Sequence, residues 1–384
     1  MNTSEKNKII GGAVQTVLKK ALASSFSSKH GRTFFKNAAI HFKSASQRRA
    51  AFEQKGLHVP PFLIASITSE CNLRCSGCYA RVGGNCGSRP DSVIDSDAAD
   101  SGELSNSAPV GEMSPLQWEN VFSQASDLGV SFIILAGGEP LMRPEILVKA
   151  SEFPSIIFPI FTNGTLFDSE RIDFFDRCRN LIPVLSLEGD KSMTDSRRSD
   201  GIFDQIQKTF QDLNSKNILF GASVTVTTEN MDYVTDSKFV SSLKQSGCTA
   251  LFYVEYVPVD GNLSLAPDES DFNKIGRRVS DLRDEFGGMI IVSFPGDEQY
   301  LGGCLAAGTG FFHINAIGGA EPCPFSPYSD ISLKTHSLEE AIQSPLFKKI
   351  TAEGLLNEKH IGGCTLFAEK ETVESFTSEL KMLK

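Results

Sequence analysis

From Phe62 onward, short apolar runs alternate with amphipathic stretches. The apolar runs cover residues 62–68 (FLIASIT), 131–136 (SFIILA), 155–161 (SIIFPIF), 181–187 (LIPVLSL), 219–227 (LFGASVTVT) and 250–256 (ALFYVEY). Such near-continuous runs fit strands buried on both faces. Between them, residues 115–129, 169–178, 203–213 and 237–247 space their apolar positions as helices do. Strands alternating with helices predict βαβ units and a parallel sheet. Repeats of roughly 30–40 residues predict an α/β fold, a partial (β/α)6 TIM-like barrel, whose chemistry sits at the C-terminal ends of the strands.

Three regions depart from this rhythm. Residues 1–58 read as a basic helical N-terminal extension, with loosely helical spacing at 9–25 and 33–54. Residues 82–112 are rich in Ser, Asp and Gly, with Asp91, Asp95, Asp97, Asp100 and Glu103. They read as an acidic flexible insertion, a candidate lid, within a core spanning 59–298. Residues 299–384 read as a small α+β extension.

Charge sharpens the division. The net charge is −10, but residues 1–60 carry eleven Lys and Arg against Glu5 and Glu53, about +9, leaving about −19 for the rest. So acidic a body does not suit nucleic acid as the main ligand. The basic extension fits two readings. It is a solvated helix packed on the domain, or a surface that brings Phe34, Phe35, Phe42 and Phe52 to an anionic lipid or a partner. No apolar stretch of about 18 residues and no signal-like N-terminus is present, so the expected location is cytoplasmic, with peripheral membrane association as the alternative. In a reducing compartment the nine cysteines are expected to be thiols or metal ligands.

Those cysteines are unevenly placed. Cys71, Cys75 and Cys78 form a Cys-x3-Cys-x2-Cys group just after the first predicted strand. Three thiolates so placed can hold three irons of a cubane cluster and leave the fourth open. A zinc site, the competing reading, normally closes with four ligands. The group, followed by Tyr79, resembles the signature of the radical S-adenosylmethionine (SAM) superfamily. The resemblance extends from about Ile64 to Pro258. Gly137-Gly138-Glu139-Pro140 is similar to the family's GGE motif, and Thr162-Asn163-Gly164 to its TNG segment. Ser186-Leu187-Glu188-Gly189, Asp195-x2-Arg198 and Gly201-x-Phe203 follow in order. Glu188 replaces the usual Asp, and Ser199 the Gly after the Arg. The resemblance implies a SAM-binding [4Fe–4S] cluster on Cys71, Cys75 and Cys78. It implies a SAM pocket drawing on Tyr79, Gly137, Gly138, Glu139, Thr162, Asn163, Ser186 and Arg198. The implied activity is reductive cleavage of SAM to a 5′-deoxyadenosyl radical that abstracts hydrogen from a substrate.

Cys304 and Cys323 flank a predicted hairpin that turns at residues 317–319, and Cys364 follows a helix-like segment. This pattern is similar to the SPASM or twitch extension of the same superfamily, and implies a second, auxiliary [4Fe–4S] cluster on Cys304, Cys323 and Cys364. Phe367 stands where a fourth cysteine is expected. The remaining position is open to substrate, or closed by His313, His360 or Cys86.

The substrate class stays open at this level: a small molecule, a lipid-linked molecule or a peptide. The expected partners are that substrate and an electron donor such as flavodoxin or ferredoxin. The peptide reading makes the chain a maturase of a ribosomally made peptide. A non-enzymatic iron–sulfur electron carrier is the third reading, disfavoured because such a protein needs no SAM pocket.

Overall fold

The computed structural model describes residues 29–82, 111–356 and 363–382. The 9–25 segment, nearly all of the predicted insertion, Cys86 and His360 lie outside them.

Seven parallel strands run in sequence order: β1 (Phe62–Thr68), β2 (Phe132–Gly137), β3 (Phe158–Thr162), β4 (Leu181–Leu187), β5 (Gly221–Val226), β6 (Ala250–Glu255) and β7 (Ile290–Phe294). The six predicted strands are all present, and β7 is added to them. The predicted helices appear as Pro115–Leu128, Ser169–Arg177, Ile202–Ser215 and Ser237–Gln245. Beyond β1 the sheet continues through β8 (His313–Ile314), β9 (Gly319–Glu321) and β10 (Ile331–Ser332). β8 pairs in parallel with β1, Ile64 opposite His313, and β8–β9 form the predicted hairpin. The C-terminal extension thus adds strands to the edge of the barrel sheet. Phe311 stacks on Phe62 of β1 with centroids 5.1 Å apart and meets Phe294 of β7 edge-on at 5.6 Å. Both ends of the parallel run therefore curl round to one ring. Alternate strand residues such as Leu63, Ala65, Ile67, Ile133 and Leu135 are fully buried.

Local chemistry places the helices. Ser114 caps Pro115–Leu128 by accepting from Gln117 N, while the Gln117 side chain accepts from Ser114 N at 2.9 Å. Gly129 ends that helix at φ +92°, where a Cβ would lie 2.5 Å from the Ala45 carbonyl oxygen. Ala45 belongs to the long helix Lys29–Gln54, which closes the N-terminal face of the barrel. Its Phe42 meets Phe132 at 5.3 Å and is buried with Ala38 and Ile157. Its Arg49 donates to Gly129 O and, at 2.9 Å, to Ser131 Oγ. Burial, with Arg48 beside it, lowers the Arg49 pKa to about 10. The packed-helix reading therefore holds for this part of the extension. Phe42 is in the fold and Phe52 packs against the main core, so a membrane-docking face loses both. Among the described residues no helix is long and apolar enough to cross a membrane.

Candidate active site

The loop after β1 carries Cys71, Cys75 and Cys78, all partly exposed, at the C-terminal ends of the strands. It is zipped to the loop after β2. Gly138 N donates to Thr68 O at 2.8 Å, and Glu139 N to Glu70 O at 2.7 Å. A Cβ on Gly137 would overlap the Thr68 carbonyl oxygen, and one on Gly138 the Glu70 carbonyl oxygen. These glycines make room for the cysteine loop.

Glu139 is buried and acts as a brace. Its carboxylate accepts from Thr162 Oγ1 at 2.6 Å, Asn163 N at 2.8 Å and Leu141 N at 3.1 Å. Burial raises its pKa, and these donors oppose the rise. Asn163 Nδ2 donates to Asn72 Oδ1 at 2.8 Å, tying the end of β3 to the cysteine loop. The GGE-like and TNG-like segments therefore form one hydrogen-bonded frame around the loop.

Two arginines face the thiols. Arg197 O accepts from Ser76 N at 3.1 Å, and Arg197 Nε donates to Ser76 O at 3.0 Å. Burial raises the Cys78 pKa; the neighbouring Cys75 adds to the rise and Arg197 opposes it. Burial works against the charge of Arg198, but Glu188 and the thiols of Cys75 and Cys78 outweigh it and raise its pKa. Arg198 Nε and Nη2 grip Glu188 Oε1 at 2.8 and 2.6 Å, and Arg197 Nη1 reaches the same oxygen at 2.5 Å. Glu188 Oε2 is buried without a protein hydrogen-bond partner. Ser186 Oγ lies 3.0 Å from Ser223 Oγ, on β4 and β5.

The sequence reading missed two members of this frame. Arg197 has no motif signal apart from adjacency to Arg198. Glu112, at the end of the predicted insertion, is a buried residue rather than loop surface. It accepts from Ser69 N and Oγ, each at 2.6 Å, and pairs with buried Arg143 at 2.6 Å. The partners lie far apart in sequence, so no local pattern could announce them.

The second group also assembles. Cys304 and Cys323 are buried and Cys364 is partly so. Burial pushes the Cys304 and Cys323 thiols well up; Cys304 feels Glu298 and Cys364, and Cys323 hydrogen-bonds Cys364 and feels Cys304. Three thiols that repel one another as anions suit a positively charged group that holds them as thiolates. Tyr79, beside the first triplet, meets Phe325 edge-on at 5.5 Å, linking the two groups through two rings. His313 does not close the second site. Its Nε2 lies 2.7 Å from Ser66 Oγ and its Nδ1 2.6 Å from Glu321, so both ring nitrogens are engaged in the sheet.

Among the described residues, no three His, Cys, Asp or Glu side chains converge on a position for a single ion. Cubane ligands need not converge in that way, because each thiolate binds a different iron.

Residues 65–240 match the family model of the radical SAM superfamily. These residues form a radical SAM domain. The chain is 23% identical over 320 residues to the AdoMet-dependent heme synthase of Methanosarcina barkeri (strain Fusaro / DSM 804), covering 76% of this chain and 84% of that one. It is 25% identical over 297 residues to the antilisterial bacteriocin subtilosin biosynthesis protein AlbA of Bacillus subtilis (strain 168), covering 74% and 60%. The fold is similar to the crystal structure of Streptococcus suis SuiB bound to precursor peptide SuiA. The TM-score is 0.60 at 18% identity, with 80% of this chain and 70% of that one covered. As a radical SAM enzyme, this chain carries out radical chemistry with SAM and a [4Fe–4S] cluster.

Proposed function

We propose that Cys71, Cys75 and Cys78 hold the SAM-binding cluster, and that Cys304, Cys323 and Cys364 hold the auxiliary one. When bound, the first cluster with SAM supplies a 5′-deoxyadenosyl radical that takes hydrogen from an unactivated C–H bond. The carrying observation is the juxtaposition of the partly exposed thiols with Arg197, Arg198 and the unpartnered Glu188 Oε2. Arg197 favours the thiolate of Cys78, against the larger effect of burial. Glu188 Oε2 is an acceptor suited to a hydroxyl of the SAM ribose. The frame of Gly138, Glu139, Asn163 and Arg197 keeps the thiols at fixed spacing. We assign the backbone groups of residues 137–139 and the side chains of Tyr79, Thr162 and Ser186 to the same SAM pocket.

For the substrate, the heme synthase relative aligns over most of both chains, which supports a small or medium metabolite. AlbA supports the second reading, a peptide maturase. A lipid-linked substrate loses support from the burial of Phe42. A flavodoxin or ferredoxin is the proposed electron donor. The reading is tested with anaerobically reconstituted protein, SAM and dithionite. The wild type is expected to hold about eight irons and to form 5′-deoxyadenosine. Replacing Cys71, Cys75 and Cys78 by Ala should leave about four irons and none of that product. Normal SAM cleavage by this triple variant would overturn the assignment.

A further inference from the structure

We propose that Glu298 is the fourth protein ligand of the auxiliary cluster, its carboxylate taking the iron that Cys304, Cys323 and Cys364 leave. The inference rests on the reading of Cys304, Cys323 and Cys364 given above, and deepens it.

Glu298 lies in the 3-10 turn Gly296–Leu301, immediately after β7 at the mouth of the barrel. It is 3% exposed. The chain on both sides of Cys304 is folded onto it. Gly303 N donates to the Glu298 carbonyl oxygen at 3.1 Å, and Leu305 N donates to Glu298 Oε1 at 2.9 Å. The Leu305 hydrogen bond holds the carboxylate, and the Gly303 bond the backbone, beside Cys304, whose thiol contacts the carboxylate. The other two thiols lie nearby, since Cys323 is in contact with Cys364 and feels Cys304, and Cys304 feels Cys364. Glu298 and Cys304 are buried side by side, and the partly exposed Cys364 lies next to Cys323, so the carboxylate sits at the edge of the thiol group.

Of the alternatives offered by the sequence, Cys86 and His360 lie outside the described residues. His313 has both ring nitrogens engaged. Phe367 has no donor atom. A cubane takes four ligands, and oxygen donors also bind iron. The assignment forms one Fe–O bond from a carboxylate that enters as an anion, with no change of oxidation state. It replaces an iron open to substrate with one closed by the protein.

The test uses the full chain with Cys71, Cys75 and Cys78 changed to Ala, so that only the auxiliary site is loaded. Glu298→Gln keeps an acceptor for Leu305 N and removes the charged ligand. The parent should hold about four irons through mild oxidation, whereas Glu298→Gln should fall to about three and show the paramagnetic signal of an oxidised three-iron cluster. Equal iron content and equal spectra in the two proteins would overturn the proposal while leaving the three cysteines in place. Absence of iron from the parent would instead overturn the auxiliary-cluster reading, and the proposal with it. A measurement independent of the folding of Glu298→Gln uses isotopically labelled cyanide added to the parent. No hyperfine coupling to the auxiliary cluster is expected, and coupling would reveal an open iron and overturn the assignment.

Discussion

Arg197 and Ser76 are joined in both directions, Ser76 N donating to Arg197 O at 3.1 Å and Arg197 Nε donating to Ser76 O at 3.0 Å. Ser76 directly follows Cys75. The helix Lys191–Arg198 therefore grips the cysteine loop from across the barrel mouth, and Arg197 Nη1 carries the link on to Glu188 and, at 2.8 Å, to Thr225 Oγ1. Arg197→Met should lower 5′-deoxyadenosine formation by about tenfold or more, equivalent to about 1.4 kcal/mol of barrel-mouth organisation. Arg197→Lys should recover only part of it, because an ammonium cannot reproduce the planar fork. The spectrum of the reduced SAM-binding cluster should change in the Met variant. Unchanged cleavage and spectrum would show that the clamp is dispensable.

Gly138→Ala introduces a Cβ that overlaps the Glu70 carbonyl oxygen. Backbone on both sides prevents easy relief, since Gly138 N and Glu139 N are hydrogen-bonded across the same gap. The expected outcome is a displaced cysteine loop. Iron should drop from about eight to about four per chain, with loss of SAM cleavage and retention of the auxiliary irons. Full iron content in this variant would contradict the role assigned to the close approach.

Asp195 accepts from Phe203 N at 2.8 Å, fastening the helix Lys191–Arg198 to the start of Ile202–Ser215. The backbone hydrogen bond from Phe203 is the main reason that its pKa lies below the ordinary Asp value. The folded state therefore holds this proton less tightly than the unfolded chain. The stabilisation is present above the unfolded pKa of about 3.9 and is lost as pH falls through the lower folded value. Asp195→Asn should flatten the acid side of the stability profile of the cluster-free protein, measured by urea midpoints between about pH 5 and pH 3. An unchanged acid slope would count against this carboxylate as its source.

Phe42 is buried against Phe132 and Ile157 on the N-terminal face of the barrel. Phe42→Ala should destabilise the fold by about 3 kcal/mol, read from chemical denaturation. Binding to anionic vesicles should be the same for both forms, because the side chain is already covered. A variant of wild-type stability with weakened vesicle binding would favour the docking face instead.

Much of the fold and of the first cysteine site is legible in the sequence because the relevant information is local. Apolar runs at residues 62–68 and 181–187 announce strands buried on both faces. Ser114, Pro115 and Gly129 punctuate a helix. Cys71, Cys75 and Cys78 lie within one loop, so their spacing carries their geometry. Other features depend on meetings between distant segments. Glu112 and Arg143 become a buried pair only when the end of the insertion returns to the β2 loop. His313 is one of three candidate fourth ligands in the sequence, yet pairing of β8 with β1 and β9 brings Ser66 and Glu321 to its two nitrogens. The requirement for Gly at 138 comes from the Glu70 carbonyl, which approaches only after β1 and β2 are in register. Sequence alone determined the alternation of strands and helices, the first thiol triplet and the placing of three further cysteines towards the C-terminus. Tertiary structure decided which side chains brace that triplet, and it brought Cys364 to Cys323 and Glu298 to Cys304, because burial and charge proximity arise only when remote parts of the chain pack together.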